Sequence, residues 1–265
     1  MVIYILYLNP NLLGLQFLLD IMSSLSVLTW NITGTDYSDQ APSTWDHETN
    51  MFHILDIIED LDPDFICLQE MPKPTTVHYL SNSYANSKPV RSHAGYTACF
   101  VRKGSIAGLP IVLESKLDLG PASGIRLKIG DHHLTIFSLH LLPYADNHPA
   151  RIAFITDLYQ QVNSDQSLIL AGDWNMREHE TAAVLRLGLH DAYQRESDPD
   201  RSKYATWAST INRFHRDGPR FEARFDRIYY KGLHQLSYTL IGDQPLHRNH
   251  YLSDHFGILT TFDWS

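Results

Sequence analysis

The run LAGDWNMRE, residues 170–178, ends an apolar stretch by setting Asp173, Asn175 and Arg177 at alternate positions. Taken alone, a Gly-led run with Asp and Asn is a turn whose side chains bond their own backbone. The same ending recurs along the chain. Asn31 follows VLTW, Glu70 follows FICLQ and His140 follows TIFSL; Asp226 lies in RFDRIYY, and Asp254 and His255 stand just before FGILTTF. Each has an ordinary structural explanation as a turn residue, a surface end, a core histidine or the partner of a neighbouring Arg. Repetition over five or six strands points instead to a shared site. Strands lying side by side and pointing the same way bring such ends to one floor, where α/β proteins place ligands.

The residue types define the chemistry. Carboxylates and an Asn amide oxygen, without Cys ligands or a close-set His pair, are hard donors suited to Mg²⁺ or Mn²⁺ rather than zinc. Mg²⁺ keeps several waters, so Glu70 with Asp254 or Asn31 is a sufficient set. A protonated histidine beside it stabilises negative charge on a phosphoryl oxygen, and an adjacent carboxylate favours that protonated state. Phosphoryl transfer is the natural reading.

These residues need elements to hold them. Ten β-rich runs recur, from SVLTWNI to GILTTFDW, several apolar almost throughout, as strands buried on both faces are. Two helical patterns lie between them. One covers about 45–61, with Met51, Ile54, Leu55 and Ile58 in phase and Ser43 or Asp46 as cap; the other opens at Pro149, with Ile152, Ile155, Tyr159 and Val162 in phase. A weaker helix is expected over about 180–187, and 78–92 reads as the clearest long loop. Many strands and few helices predict an α/β fold in which two packed mixed sheets are flanked by helices, a four-layer αββα sandwich.

With 265 residues and 43% apolar content, no linker composition divides the chain, and one domain is expected over 23–265. Residues 1–22 read as a loosely packed extension: no basic residue precedes the apolar run, and Asn9, Pro10, Asn11, Gln16 and Asp20 interrupt it. A membrane role is not expected. A net charge of −9 argues against bulk electrostatic binding of nucleic acid but leaves room for a local basic lining, for which the stretch from Arg213 through Arg216, Arg220 and Arg224 to Arg227 is the candidate. Cys67 and Cys99 both sit in apolar runs and suggest neither a disulfide framework nor a zinc cluster, so a reducing intracellular setting is expected.

In TWN (29–31), LQE (68–70), SLHL (138–141), GDWN (172–175) and SDH (253–255) the chain resembles the endonuclease/exonuclease/phosphatase superfamily, whose DNase I-like fold is that same sandwich. TWNITGTD, GDWNMRE and the stretch from Trp207 to RFDRIYY look most like the tyrosyl-DNA phosphodiesterases of type 2. The resemblance implies a Mg²⁺-dependent phosphodiesterase that releases tyrosine from DNA 5′ ends. It implies Glu70 as metal ligand with Asn31 and Asp254 nearby, Asp173 orienting or deprotonating water, and Asn175 holding a phosphate oxygen or the nucleophile. His255 would stabilise the transition state with Asp226 fixing its ring, and His140 would contact phosphate. Arg177, Trp207 and Phe225 would hold the DNA end. A monomer acting in the nucleus or cytoplasm is expected. Three positions depart from the family pattern: Trp174 replaces a small residue, Pro143 a Ser, and His215 a hydrophobic wall residue. Hydrolysis of another phosphoester, such as abasic DNA or a phosphorylated inositol, and an idle binding module of the same fold are the competing readings.

Overall fold

The computed structural model describes residues 24–34, 41–42, 45–162, 166–193, 204–215, 218–247 and 250–264. The expected extension at 1–22, the candidate cap Ser43 and Arg216 lie outside these residues.

Ten long strands are β1 (Leu25–Asn31), β2 (Phe65–Met71), β3 (Tyr96–Arg102), β4 (Leu109–Leu119), β5 (Ala122–Ile129), β6 (His132–His140), β7 (Ser167–Asp173), β8 (Asp226–Lys231), β9 (Leu233–Ile241) and β10 (Gly257–Trp264). They form two mixed sheets. The first runs β9-β10-β1-β2-β3 and continues to the short strand Tyr84–Asn86; the second runs β8-β7-β6-β5-β4, with His190–Asp191 outside β8 and Ser105–Ile106 outside β4. Each sheet holds one parallel pair, β1 with β2 and β6 with β7, and every other pairing is antiparallel. β2 and β7 are buried along their whole length, which is why their sequences are apolar without alternation.

Helix α1 (His47–Leu61) starts where Asp46 accepts the Thr49 N–H at 2.7 Å, so Asp46 is the cap. Its buried Met51, Ile54 and Ile58 cover the outer face of the first sheet, against Leu28, Trp30, Ile66 and Leu68. Helix α2 (His148–Val162) covers the second sheet with Ile155, Leu158 and Val162. A third apolar layer, with Val27, Phe65, Cys67, Ile125, Ile136 and Ile169, fills the space between the sheets. The expected four layers are therefore present, each side chain buried between them contributing about 1.5–3 kcal/mol.

The buried face of α2 is rotated from the expected one, with Leu158 inside and Ile152 and Tyr159 half-buried. Arg151 is the reason. It is fully buried and forks onto Glu180, Nε to Oε2 at 3.1 Å and Nη2 to Oε1 at 2.7 Å, while Nη1 donates to Leu142 O and Tyr144 O. This one guanidinium ties α2 to the 142–144 and 177–180 segments that rim the site. The weak helix forms as α3 (Thr181–Leu185), one turn long. Residues 78–92 are not a plain loop: Tyr84–Asn86 and Val90–Arg91 both pair with β3. Buried Ser87, whose Oγ accepts the Cys99 N–H at 2.8 Å, pins the stretch that its Ser, Asn and Pro content made look free.

Candidate active site

The two parallel pairs end at the same rim. Asn31 and Glu70 finish β1 and β2, and His140 and Asp173, in register with each other, finish β6 and β7. The antiparallel neighbours begin there: Asp226 opens β8 opposite Asp173, and Asp254 and His255 immediately precede β10. All eight predicted catalytic residues are brought together. Gly172 permits the final turn of β7, because a Cβ there would lie 2.1 Å from Leu139 O and φ is +147°. Glu70 and Asn175 adopt left-handed backbone at φ 56° and 50°, a costly conformation for non-glycine residues that concentrates at functional sites.

Asn31 bridges the sheets. Its Nδ2 donates to Glu70 Oε1 at 3.0 Å and Asp173 Oδ2 at 3.1 Å, while its Oδ1 accepts the Thr33 N–H at 3.1 Å. The amide nitrogen of Asn31, rather than its oxygen, therefore faces the carboxylates. Glu70 Oε2 accepts the Gly34 N–H at 3.1 Å, and Asp173 Oδ1 the Asn175 N–H at 2.9 Å. His255 Nδ1 bonds Asp226 Oδ2 at 2.8 Å and turns Nε2 toward Asp173 Oδ2, 3.8 Å away. His140 Nε2 stands 3.7 Å from Glu70 Oε1 and 3.6 Å from Asp173 Oδ2, without a hydrogen-bond partner. Its Nδ1 contacts Ser92 Oγ at 2.9 Å. Two flanking carboxylates favour the tautomer carrying the proton on Nε2; the Ser92 hydroxyl also reaches Ala94 O at 3.0 Å.

Burial sets the protonation pattern. It pushes Glu70 up to about 8, with help from Asp254, and Asp173 up to about 7, with help from Asp226. Burial also opposes charge on His255, but Asp226, Asp173 and Asp254 outweigh it and hold the imidazole well above its ordinary range. Burial, then His93 and His255, push His140 well below that range, so it is neutral.

The donor set fits a hard divalent cation. Glu70 and Asp254 are buried acids, and among the described residues neither pairs with Lys or Arg. Asp254 is held by two side chains, with Oδ1 accepting from Thr33 Oγ1 at 2.5 Å and Oδ2 bonded to His215 Nε2 at 2.7 Å. Ligand atoms of Glu70, His140 and Asp173 lie within 4.8 Å of one another, as do those of Asp173, Asp226 and His255.

Beside this cluster opens a cavity of about 460 Å³ that Glu70, Asp173, Asn175, Asp254 and His255 line from below. Its wall is a ribbon in which Trp207–Ala208 pairs with Glu222–Ala223. Trp207 stacks on His215 at 5.2 Å and meets the His255 ring edge-on at 5.0 Å, and Arg177 lies over Phe225 at 4.5 Å. Trp207 Nε1 is buried without a partner. The expected basic lining from Arg213 to Arg227 does not form. Of its described members only Arg220 lines this cavity; Arg224 is paired with Asp191 at 2.8 Å, and Arg227 is buried against Thr181 and Tyr229. Pro143 lies on the rim.

Trp174 points the other way. It is fully buried beneath α2, edge-on to Tyr229 at 4.6 Å, with Nε1 donating to Arg227 O at 3.2 Å. The sequence reading missed Thr33, Ser92, Ser253 and the bonding role of His215. Thr33 and Ser253 lie inside the TWNITGTD and SDH motifs, but nothing in the sequence marks Ser92, which reaches His140 only through the fold.

A family model described as Endonuclease/Exonuclease/phosphatase family matches residues 28–255, and the chain belongs to that family. Among curated relatives, it is 24% identical over 261 residues to tyrosyl-DNA phosphodiesterase 2 of Gallus gallus, and 27% over 263 residues to that of Danio rerio. In both cases 91% of this chain aligns with 67% of the relative. The crystal structure of D. rerio TDP2 complexed with single strand DNA product superposes with a TM-score of 0.75 at 22% identity, over 91% of this chain and 99% of that one. The fold is thus the DNase I-like sandwich. No helix among the described residues is long and apolar enough to cross a membrane.

Proposed function

We propose that the protein is a metal-dependent phosphodiesterase that hydrolyses the bond between a tyrosine and the 5′ phosphate of DNA. One observation carries this reading: the carboxylate–histidine cluster and the Trp207–Phe225–Arg177 wall share one cavity. The name of the curated relatives agrees with it.

Glu70 would hold Mg²⁺ or Mn²⁺, with Asp254 as the neighbouring acid; when bound, the ion would neutralise charge on the scissile phosphate. Asn31 fixes Glu70 and Asp173 relative to each other through its two N–H bonds. Asp173 accepts the proton of the attacking water, a task suited to a carboxylate raised to about 7. Asn175 Nδ2 donates to Leu141 O at 3.0 Å, leaving its amide oxygen to orient that water. Protonated His255, fixed by Asp226, donates from Nε2 to the phosphoryl oxygen as charge builds there. Neutral His140 donates to a second oxygen from Nε2. The new bond joins water oxygen to phosphorus, the phosphorus–phenolate bond breaks, and the products are free tyrosine and a 5′ phosphate. A phenol with a pKa of about 10 leaves without a dedicated acid.

On the DNA side, the Arg177 fork meets phosphate while Trp207 and Phe225 present aromatic surface to the terminal nucleotide. The same reading takes residues 23–265 as one catalytic domain, active as a monomer in DNA repair inside the cell, in nucleus or cytoplasm. Its test is Glu70→Ala and Asp173→Ala on a 5′-phosphotyrosyl oligonucleotide. Both variants should keep the wild-type circular dichroism spectrum and lose turnover, and near wild-type rates would overturn the assignment.

A further inference from the structure

A second cavity, about 750 Å³, shares no lining residue with the catalytic one. Arg213 and Phe214 wall one side and His247, His250 and Tyr251 another, in the stretches that run into His215 and Asp254. Its polar lining is dominated by nitrogen groups. Arg213, His53, His247 and His250 face a single carboxylate, Asp46, whose Oδ2 already accepts the Thr49 N–H at 2.7 Å. Among the described residues, the Arg213 guanidinium has neither an ion pair nor a hydrogen bond, and the imidazoles of His53 and His247 have no hydrogen bond. Burial, then the facing His247 and His53, push His250 below the usual histidine range. Trp45 and Phe214 meet edge-on at 5.2 Å in the same cavity.

A guanidinium and imidazole N–H donors beside aromatic surface, on a chain of net charge −9, suit a nucleotide's phosphate and base. We propose that this cavity binds a phosphate-bearing nucleotide unit, with its phosphate on Arg213, His53 and His247, its base beside the aromatic residues, and His250 held on Asn50 Oδ1 at 3.0 Å. The site is wired to the catalytic loop. Trp45 Nε1 and Asn50 Nδ2 donate to Leu252 O at 3.4 and 3.1 Å, and Asn212 Nδ2 donates to Ser253 O at 2.8 Å. Ser253 Oγ in turn donates to Asn31 O at 2.7 Å and accepts the His255 N–H at 3.1 Å. A ligand held here therefore lies against residues bonded to the Leu252 and Ser253 carbonyls, immediately before Asp254 and His255 in the chain.

The test is calorimetric titration in EDTA of dTMP and, separately, of an oligothymidylate lacking a 5′ phosphate. Wild type is compared with Arg213→Gln and His247→Gln in this cavity and with Arg177→Gln in the other. A saturable component weakened about tenfold by Arg213→Gln and His247→Gln is expected, and that component should persist in Arg177→Gln, which removes only binding at the catalytic cavity. Binding of dTMP alone assigns the site to a free nucleotide, and binding of both ligands to a strand segment. Arg213 is exposed, so an unchanged melting temperature separates lost binding from lost fold. No saturable binding, or binding that survives Arg213→Gln and is lost in Arg177→Gln, overturns the proposal.

Discussion

His215 Nε2 lies 2.7 Å from Asp254 Oδ2 while its ring stacks on Trp207, so one side chain joins the aromatic wall to the acidic cluster. A hydrophobic residue at this position could stack but could not hold the carboxylate. His215→Gln, which keeps a donor, should retain kcat within a few-fold. His215→Leu should lower kcat about tenfold or more with little change in KM, since an unpaired buried acid costs about 1–3 kcal/mol. Equal kcat values for the two variants would remove the link.

Metal binding should release a proton. Burial raises Glu70 to about 8 in the metal-free protein, so below that pH the ion competes with a proton for the carboxylate. Mg²⁺ affinity should therefore rise with pH up to about 8, by about tenfold per unit at most. Calorimetry in two buffers of different ionisation enthalpy measures the released proton, and equal heats would contradict the assignment of Glu70.

The same shifts give a stability signature. Glu70 and Asp173 both have folded values above their unfolded ones of 4.5 and 3.8. Their contribution is fully present below the unfolded values and is lost as pH rises through about 7 and 8. In EDTA the melting temperature should fall across that window for wild type, and less steeply for Glu70→Gln. Parallel curves for the two proteins would show that Glu70 does not titrate there.

Much of the site was legible because strand chemistry is local. An apolar run ending in a polar residue marks a strand end, and the motifs preserve Asn31, Glu70, His140, Asp173 and His255 with their order. Side-chain direction was less legible. Trp174 sits between Asp173 and Asn175, and only the pleat decides that it points under α2 while they face the cavity. Arg224 and Arg227 read as a basic lining because their partners, Asp191 and Thr181, are remote in sequence. The paired strands within 78–92 escaped notice for a similar reason: their register is set by β3, not by their own composition.

Trp174 gives a test of that layering. Trp174→Ala should destabilise the fold by about 3–5 kcal/mol, the cost of emptying a fully buried aromatic site. Trp207→Ala, on the cavity wall, should instead weaken binding of a DNA end by roughly 1–3 kcal/mol. Chemical denaturation and fluorescence anisotropy separate the two effects, and the opposite assignment would reverse the orientation given to each ring.

The central claim is the substrate. Turnover of a 5′-phosphotyrosyl oligonucleotide should be measured beside an abasic duplex and an inositol polyphosphate, each with Mg²⁺ and with EDTA. The account predicts release of free tyrosine and a 5′-phosphorylated strand in Mg²⁺, none in EDTA, and much slower turnover of the other two. Turnover of only the abasic or inositol substrate, or of none, would contradict it.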